Sequence, residues 1–270
     1  MAGEAFVVGK GSRNPTIVSS VERALSILDV FKEARQPMGV TEVSRSLGLN
    51  FSTTHHLVST LCARRYLEQD PRSRKYRLGL KALELGLAAG ESFTLLERAR
   101  PVLGELAARV NETVNLAVRD GASVVYVDQA ASSRTISMFT MLGARAPLYC
   151  TGVGKVFLAE MDAEEIKPLL EAGQTHQYTK NTIVSWDDME PELRCIRADG
   201  YSVDREEREE GVACIAAPVR DHTGAVWAAI SISGPAGRVM PKVSDLAREV
   251  TQAGSALSES LGYRARPTGR

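Results

Sequence analysis

The spacing of apolar residues predicts three helices near the start of the chain. The first begins at a capping box formed by Ser19 and Glu22. Its expected buried face consists of Val21, Ala24, Leu25, Leu28 and Phe31. A second, short helix has Thr41 as its N-cap and stops at Gly48, because glycine readily takes the left-handed backbone that ends helices. Three helices with a glycine-containing connection between the last two predict a helix-turn-helix.

The third helix, which Asn50 is placed to cap, has two unlike faces. One face is apolar and carries Thr54, Leu57, Val58 and Leu61. The other carries short polar groups, namely Ser52, Thr53, His56, Ser59 and Thr60. Such a face suits close approach to base edges in a major groove, whereas surface helices usually carry long Glu and Lys. The alternative is a polar surface helix without a partner.

Two short strands at 66–69 and 75–78 flank an Asp-Pro-Arg-Ser-Arg turn and predict a wing. Its basic residues lie where such a hairpin meets a phosphate backbone. The candidate DNA-binding residues are therefore Ser52, Thr53, His55, His56 and Ser59 of the helix and Arg72, Arg74 and Lys75 of the wing. A solvated basic turn is the alternative to this interpretation of the hairpin.

The pattern beyond residue 80 predicts an α+β domain with a mostly antiparallel sheet. A linker helix at 81–89 and a break at 90–92 precede a helix at 95–110. Strands are expected at 114–119, 123–128, 135–141, 201–204, 213–219 and 226–233, with a loop at 143–147. Helices are expected at 154–160, 163–171, 187–199 and 243–261. The domains are a flexible arm (1–17), a winged helix-turn-helix (18–80), a linker helix (81–92), a second domain (93–263) and a tail (264–270).

Length, charge and cysteine content support this division. A chain of 270 residues favours two domains. Residues 1–80 hold 12 Lys and Arg against 7 Asp and Glu, whereas the remainder holds 21 against 26, so only the first part favours an anionic partner. The chain has no long apolar run or secretory signal, which predicts a cytoplasmic protein without membrane contact. Four cysteines without a Cys-x-x-Cys pair predict no metal, and no cofactor is expected.

Candidate chemistry in the second domain is sparse. Residues 151–155 are not a phosphate loop, because Tyr149 and Val156 stand where glycine and Ser or Thr are needed. They either present backbone amides to a small anion or serve as a structural turn. The charge run 205–210 is typical of a solvated surface. Cys214 suits inert packing, since the only histidines of this domain, His176 and His222, lie in predicted loops, and no enzyme activity is predicted.

The chain resembles the IclR family of transcriptional regulators over nearly its full length. The resemblance rests on 19–28 (SSVERALSIL) and 48–57 (GLNFSTTHHL) in the first domain and on four stretches of the second. These are 143–155 (GARAPLYCTGVGK), 200–207 (GYSVDREE), 211–219 (GVACIAAPV) and 229–235 (AISISGP). It implies a GAF-like second domain with a pocket for small metabolites, often carboxylates. The implied ligand-binding positions are Met138, Gly152, Val153, Asp204, Cys214, Ser231 and Ser233.

The sequence therefore predicts a ligand-responsive regulator of transcription. One recognition helix supplies too few base contacts, so we expect a homodimer, or a tetramer, on a palindromic double-stranded operator. A small-molecule effector, a carboxylate or related catabolic intermediate, is expected in the second domain. The competing classes are an enzyme and a protein-binding sensor that uses its winged helix for protein contacts.

Overall fold

The computed structural model describes residues 17–264 except 92, 93, 136, 139 and 172–174. The chain divides into two compact units, Met1–Ser92 and Phe93–Arg270. Among the described residues, no helix is both long enough and apolar enough to cross a membrane.

The first unit is a winged helix-turn-helix. Its elements are α1 (Ser19–Ala34), α2 (Val40–Leu47), α3 (Phe51–Ala63), β1 (Leu67–Gln69), β2 (Tyr76–Leu78) and α4 (Leu80–Glu91). The two strands pair antiparallel, with Leu67 opposite Leu78. A small core is buried between the helices and the hairpin, and it includes Ile27, Phe31, Val43, Val58 and Leu67. The predicted three helices and hairpin are thus confirmed.

Two predicted helix starts in this unit are wrong. α1 has Val18 as its N-cap and Ser19 is already helical, so Ser19 does not form the predicted capping box. α2 is capped by Gly39 rather than by Thr41, which lies inside the helix. The Gly39 N–H donates to the Glu42 carboxylate at 2.5 Å, so a side chain of the first turn satisfies this backbone donor.

The buried face of α1 also differs from the predicted one. Ile27 and Phe31 are buried, but Val21 and Leu25 are 55% and 58% exposed. Val21 and Leu25 therefore do not belong to the core of this unit. The first unit also exposes apolar side chains on α4, at Leu80 and Leu83.

The second unit is built on one antiparallel sheet of six strands in the order β5-β4-β3-β8-β7-β6. The strands are β3 (Thr113–Asp120), β4 (Ser123–Ala130), β5 (Arg145–Pro147), β6 (Ser202–Arg205), β7 (Val212–Arg220) and β8 (Val226–Pro235). The helices are α5 (Thr94–Val110), α6 (Gly152–Leu158), α7 (Ala163–Glu171), α8 (Trp186–Asp199), α9 (Ala236–Val239) and α10 (Val243–Ser260). A 3₁₀ turn, Met240–Lys242, joins α9 to α10. The predicted α+β fold is confirmed.

The two faces of this sheet pack on different helices. Bulky residues such as Leu116, Ile215 and Ile230 point to one side and pack with α5 and α10. The opposite side presents small residues, such as Ala216 and Ala229, to α6, α7 and α8. Because side chains alternate along a strand, the polar residues of β3, β7 and β8 lie on this second face.

Three predictions for the rest of the chain are wrong. The described residues of 135–141 form no strand, while Ile136 and Phe139 lie outside the described residues. The fifth strand in chain order is instead β5, within the predicted loop 143–147, where Ala146 pairs with Val124. The predicted break at 90–92 is not seen at residues 90 and 91, because α4 continues through Glu91, and residue 92 lies outside the described part of the chain.

Candidate functional site

The exposed face of α3 carries short polar side chains on a helix with a well-formed N-terminus. Asn50 caps it as predicted, since its side chain accepts the Thr53 N–H at 2.8 Å. Thr54, Val58 and Leu61 are buried, as the pattern requires. The predicted base-contacting side chains are exposed except for the half-buried Thr53, and the exposed ones are Ser52, His55, His56 and Ser59.

The hairpin β1–β2 holds its basic residues on a turn organised by Asp70. The Asp70 carboxylate accepts the N–H of Arg72 at 2.8 Å and the N–H and hydroxyl of Ser73 at 2.7 and 3.1 Å. These hydrogen bonds from Ser73 and Arg72 lower the pKa of Asp70, so the cap stays ionised at neutral pH. Arg72 and Arg74 are exposed on this turn. The local structure therefore presents two cations to solvent on a fixed backbone.

Lys75, the third predicted wing residue, is exposed but not free of partners. Its Nζ lies 3.7 Å from the Glu42 carboxylate of α2. Both side chains are about half exposed, so the pair is worth little energetically and a phosphate could compete with it. Arg77, further along the hairpin, pairs with Glu68. Among the predicted wing residues, Arg72 and Arg74 are thus the most available cations.

In the second unit, the sheet register brings most of the predicted ligand-binding residues together. Asp204 on β6 pairs with Cys214 on β7, and Cys214 pairs with Ser233 on β8. Gly152, at the start of α6, lies over this row, because a Cβ added to it would be 3.1 Å from the Cys214 Sγ. Ser231 lies one pleat further along β8, opposite Ala216. The four strand residues therefore share one face of the sheet, and Gly152 of α6 lies over it.

Met138 and Val153 border the same region. Thr113 on β3 pairs with Ser233, and its hydroxyl donates to the Met138 carbonyl at 2.7 Å. Val153 follows Gly152 in α6 and is fully buried among the residues between the sheet and α6–α8. The loop that contains Met138 is therefore tied directly to the row of polar residues.

Two further polar residues of this face were missed from the sequence. Asn115 donates to the Ser233 hydroxyl at 3.2 Å, and Gln129 donates to the Asn115 side-chain oxygen at 3.0 Å. The sequence contains a pattern that indicates Asn115, because Thr113 and Asn115 alternate with Val114 and Leu116. A chain of amides and hydroxyls, partly buried at its β4 end, thus extends from β8 across β3 to β4.

Burial sets the protonation of the titratable groups here. It raises the pKa of Asp204 from 3.8 to about 7, with help from the negative charge of Glu207. Burial likewise raises the pKa of Cys214 to about 11 and that of Cys150 to about 12. Both thiols are therefore protonated at neutral pH, which disfavours them as nucleophiles. The site offers hydrogen-bonding groups rather than an activated nucleophile.

The charge run 205–210 is not simply a solvated surface, and that prediction is wrong at Glu207. Glu207 is 2% exposed and its Oε1 lies 2.5 Å from the Nζ of Lys155, which is fully buried. Lys155 also donates to Glu192 at 2.8 Å and to the Val203 carbonyl at 2.8 Å. All three ammonium protons are thus used within the protein. We call Lys155, Glu192 and Glu207 the ionic centre.

These contacts support the structural interpretation of residues 151–155. The Gly154 N–H donates to the Thr151 hydroxyl at 3.1 Å, so the helix N-terminus satisfies this donor with its own cap. A Cβ on Gly154 would lie 2.2 Å from the Leu148 carbonyl oxygen, which explains the glycine. Since Lys155 faces two carboxylates, it is not available to a small anion.

Comparison with known proteins supports the resemblance on both units. Residues 20–71 match the IclR helix-turn-helix domain, and residues 88–259 match the family described as bacterial transcriptional regulator IclR C-terminal. The HTH-type transcriptional regulator XynR of Escherichia coli (strain K12) is 37% identical over 250 residues, which cover 92% of this chain and 99% of XynR.

Solved structures show the same architecture. The IclR of Thermotoga maritima has a TM-score of 0.74 at 29% identity, over 91% of this chain and 99% of that one. An IclR homologue of Microbacterium hydrocarbonoxydans, crystallised with 4-hydroxybenzoate, has a TM-score of 0.81 at 23% identity, over 90% and 98%. The matched domains and the full-length relatives lead to one conclusion: this chain belongs to the IclR family of transcriptional regulators, with a helix-turn-helix domain for DNA and a C-terminal domain for an effector.

Proposed function

We propose that this regulator binds a palindromic operator as a homo-oligomer and that a small carboxylate effector in the second unit controls its binding. The observation that carries the DNA-binding part is the polar face of α3 beside the Asp70-capped basic turn, both within one compact unit. Residues 18–80 would bind DNA, 81–92 would link the units and 93–263 would bind the effector. We expect a regulator of this kind in the cytoplasm, together with its operator.

The DNA contacts divide into two kinds. Short side chains on α3 are suited to base edges, and we assign this role to Ser52, Thr53, His55, His56 and Ser59. Arg72, Arg74 and Lys75 on the hairpin would bind phosphates, which carry charge but no sequence information. This division predicts that the hairpin sets affinity and salt dependence, while α3 sets sequence preference.

Exposed apolar surface supports the proposed pairing of two chains, in addition to the argument from DNA recognition. Val21 and Leu25 on α1 and Leu80 and Leu83 on α4 are each about half exposed or more, although they are large and apolar. Burial of such side chains against a second copy would remove them from water. A dimer doubles the number of base contacts and requires a site with two-fold symmetry.

The effector site we propose is the polar face of the sheet under α6. It comprises Met138, Gly152, Val153, Asp204, Cys214, Ser231 and Ser233. The crystallised homologue of Microbacterium hydrocarbonoxydans binds 4-hydroxybenzoate, which is a carboxylate. We propose binding without catalysis, because burial keeps the thiols of Cys150 and Cys214 protonated. The effector must bind unequally to the states of the protein that have high and low affinity for DNA, since equal binding would not shift the equilibrium between them.

Selection of operators from random duplex DNA by repeated binding to the full-length protein tests the DNA-binding part without knowledge of its target. We expect a palindromic consensus with half-sites about one helical turn apart. Replacement of both Arg72 and Arg74 by Ala should then weaken binding at least tenfold at about 0.15 M salt and lower the slope of log affinity against log salt by about 2–4 for a dimer.

The matched control is the double replacement of Arg194 and Arg248 by Ala, because both are exposed arginines of the second unit. It removes the same charge from the chain but none from the hairpin. Equal losses in the two double variants would show that net charge, and not the hairpin, drives binding. Recovery of no preferred DNA sequence would refute the proposed function itself.

A further inference from the structure

α3 begins with an aromatic side chain that the core of its unit does not cover. Phe51 is the first residue of the helix and is 55% exposed. Among the described residues of the first unit, it belongs neither to the core nor to the half-buried apolar residues that pack against that core. The buried face of α3 is supplied by Thr54, Val58 and Leu61. Packing within the unit therefore does not account for a phenylalanine at this position.

Hydrogen bonds of the first turn fix the direction in which Phe51 projects. The Asn50 side chain accepts the Thr53 N–H at 2.8 Å, and the Asn50 carbonyl accepts the hydroxyl of the buried Thr54 at 3.0 Å. The Phe51 ring lies beside the ring of His55, one turn later, with 6.0 Å between centroids and 26° between ring planes. Because the two rings are stacked, each restricts the rotamers open to the other.

The stacked pair borders the polar side chains of α3 that we assign to base edges. Ser52 and His56 directly follow Phe51 and His55, and all four side chains are exposed. The rings of His55 and His56 meet edge to face, with 6.2 Å between centroids. Residues 51–63 include no Asp or Glu, so no side chain of this helix repels an anionic partner. Phe51 thus adds apolar area to an exposed surface that otherwise offers hydrogen bonds.

We propose that Phe51 is a specificity-determining residue, and that its ring contacts the C5-methyl group of a thymine in each operator half-site. The first residues of a recognition helix are those that reach base edges in the major groove. The donors and acceptors of those edges suit Ser52 and His56, whereas the thymine methyl group is apolar and suits a phenyl ring. The inference rests on the proposed function, in which α3 contacts the operator bases.

A phosphate group and a second protein surface fit Phe51 less well. A phenyl ring has no donor for a phosphate oxygen. A protein interface would require further apolar residues around the ring, but the neighbours Ser52 and His55 are polar, and Val21 and Leu25 lie on α1 instead. Burial of one methyl group against the ring should raise affinity about fourfold, and a dimer makes this contact twice.

The test compares the operators that full-length wild type, Phe51→Ala and Leu142→Ala select from random duplex DNA. Leu142→Ala is the control, because Leu142 is also 55% exposed but lies in the second unit. Wild type and the control should select the same consensus. Phe51→Ala should lose the preference for thymine at one position in each half-site and keep the preferences at the other positions.

Removal of the methyl group itself then identifies the contact. Uracil in place of that thymine keeps the hydrogen-bonding groups of the base and lacks only the methyl group. With uracil in both half-sites, wild type should bind about tenfold more weakly, whereas Phe51→Ala should change by less than about twofold. Phe51→Leu, which keeps part of the apolar area, should show an intermediate loss. Melting temperatures from circular dichroism should agree within about 3 °C among all variants, since Phe51 is exposed.

A consensus that wild type and Phe51→Ala share at every position would overturn this inference and leave the proposed function intact. An equal effect of uracil on wild type and Phe51→Ala would also overturn it, because another group would then contact the methyl. So would equal binding of the thymine and uracil operators by wild type. Recovery of no consensus by wild type would refute the proposed function and, with it, the role of Phe51.

Discussion

Replacement of Lys155 by Met isolates the energetic role of the ionic centre. Methionine keeps most of the side-chain volume but donates no hydrogen bond, so three acceptors lose their partner at once. Two of these are the carboxylates of Glu207 at 2.5 Å and Glu192 at 2.8 Å, and the third is the Val203 carbonyl at 2.8 Å. The Glu207 side chain is only 3% exposed, so its charge would remain buried without compensation.

The expected cost is about 3–5 kcal/mol of unfolding free energy, the usual result of removing one partner from a buried ion pair. For a unit of this size, that corresponds to a fall in melting temperature of about 10 °C. Burial already raises the pKa of Glu207, an effect that Lys155 opposes, so Glu207 should take up a proton when the lysine is absent. The cost of Lys155→Met should therefore be smaller at pH 5 than at pH 8.

Denaturant unfolding followed by tryptophan fluorescence measures this cost, because both tryptophans belong to the second unit. Addition of Glu207→Gln to Lys155→Met should recover about half of the loss, since a neutral amide replaces the uncompensated carboxylate. Lys180→Met, at an exposed position, is the control and should change stability by less than about 0.5 kcal/mol. Our reasoning is refuted if Lys155→Met costs less than about 1 kcal/mol, or if the double variant is no more stable than the single one.

Three further replacements test local features of the second unit. Gly154→Ala should cost more than about 2 kcal/mol, because its Cβ would lie 2.2 Å from the Leu148 carbonyl oxygen. Gly104→Ala in α5, where a Cβ meets no atom within 4 Å, should stabilise the protein by about 0.5–1 kcal/mol. A change in stability of the same sign in both glycine variants would contradict the packing argument. The pKa of Asp204 is raised to about 7 in the folded protein, so its contribution to stability is present at low pH and lost as pH rises from about 4 to about 7. The unfolding free energy of Asp204→Asn relative to wild type should therefore rise by about 2–3 kcal/mol between pH 5 and pH 8 in the same unfolding assay. A difference in stability between the two proteins that does not change with pH would rule this out.

The elements of this chain could largely be predicted because their signals are local. Helix periodicity, the Asn50 cap and the Asp-Pro turn of the hairpin each depend on residues within about one or two turns of one another. The alternation of Ser231 and Ser233 with isoleucines likewise placed two hydroxyls on one face before the sheet was known. Local patterns of this kind determine where strands and helices lie and which side is buried.

The ionic centre could not be predicted, because its members are far apart in sequence. Lys155 lies on α6, whereas Glu207 lies in a turn 52 residues later, inside a run of charges that locally suits a solvated surface. Only the packing of α6 on the sheet brings them together. The exposure of Val21 and Leu25 on α1 was also mispredicted, although these residues lie close together in sequence. Periodicity shows which residues share a helix face, but it does not show whether the core of the same unit covers that face.

The turn 206–211 joins the ionic centre to the proposed effector site and is held by hydrogen bonds to neighbouring elements. The Glu207 N–H donates to Asp204 at 2.8 Å, while the Glu206 and Glu207 carbonyls accept the hydroxyls of Thr179 and Thr182 at 2.7 and 2.6 Å. With Lys155 bound to the Glu207 carboxylate, this turn is fixed from several sides. An effector that contacts this turn would then lose little free energy in ordering it, so more of the hydrogen-bond energy would remain as affinity. Lys155→Met should therefore disturb effector binding as well as stability, because it releases the Glu207 carboxylate, and the Glu207 N–H is the donor to Asp204 of the proposed effector site.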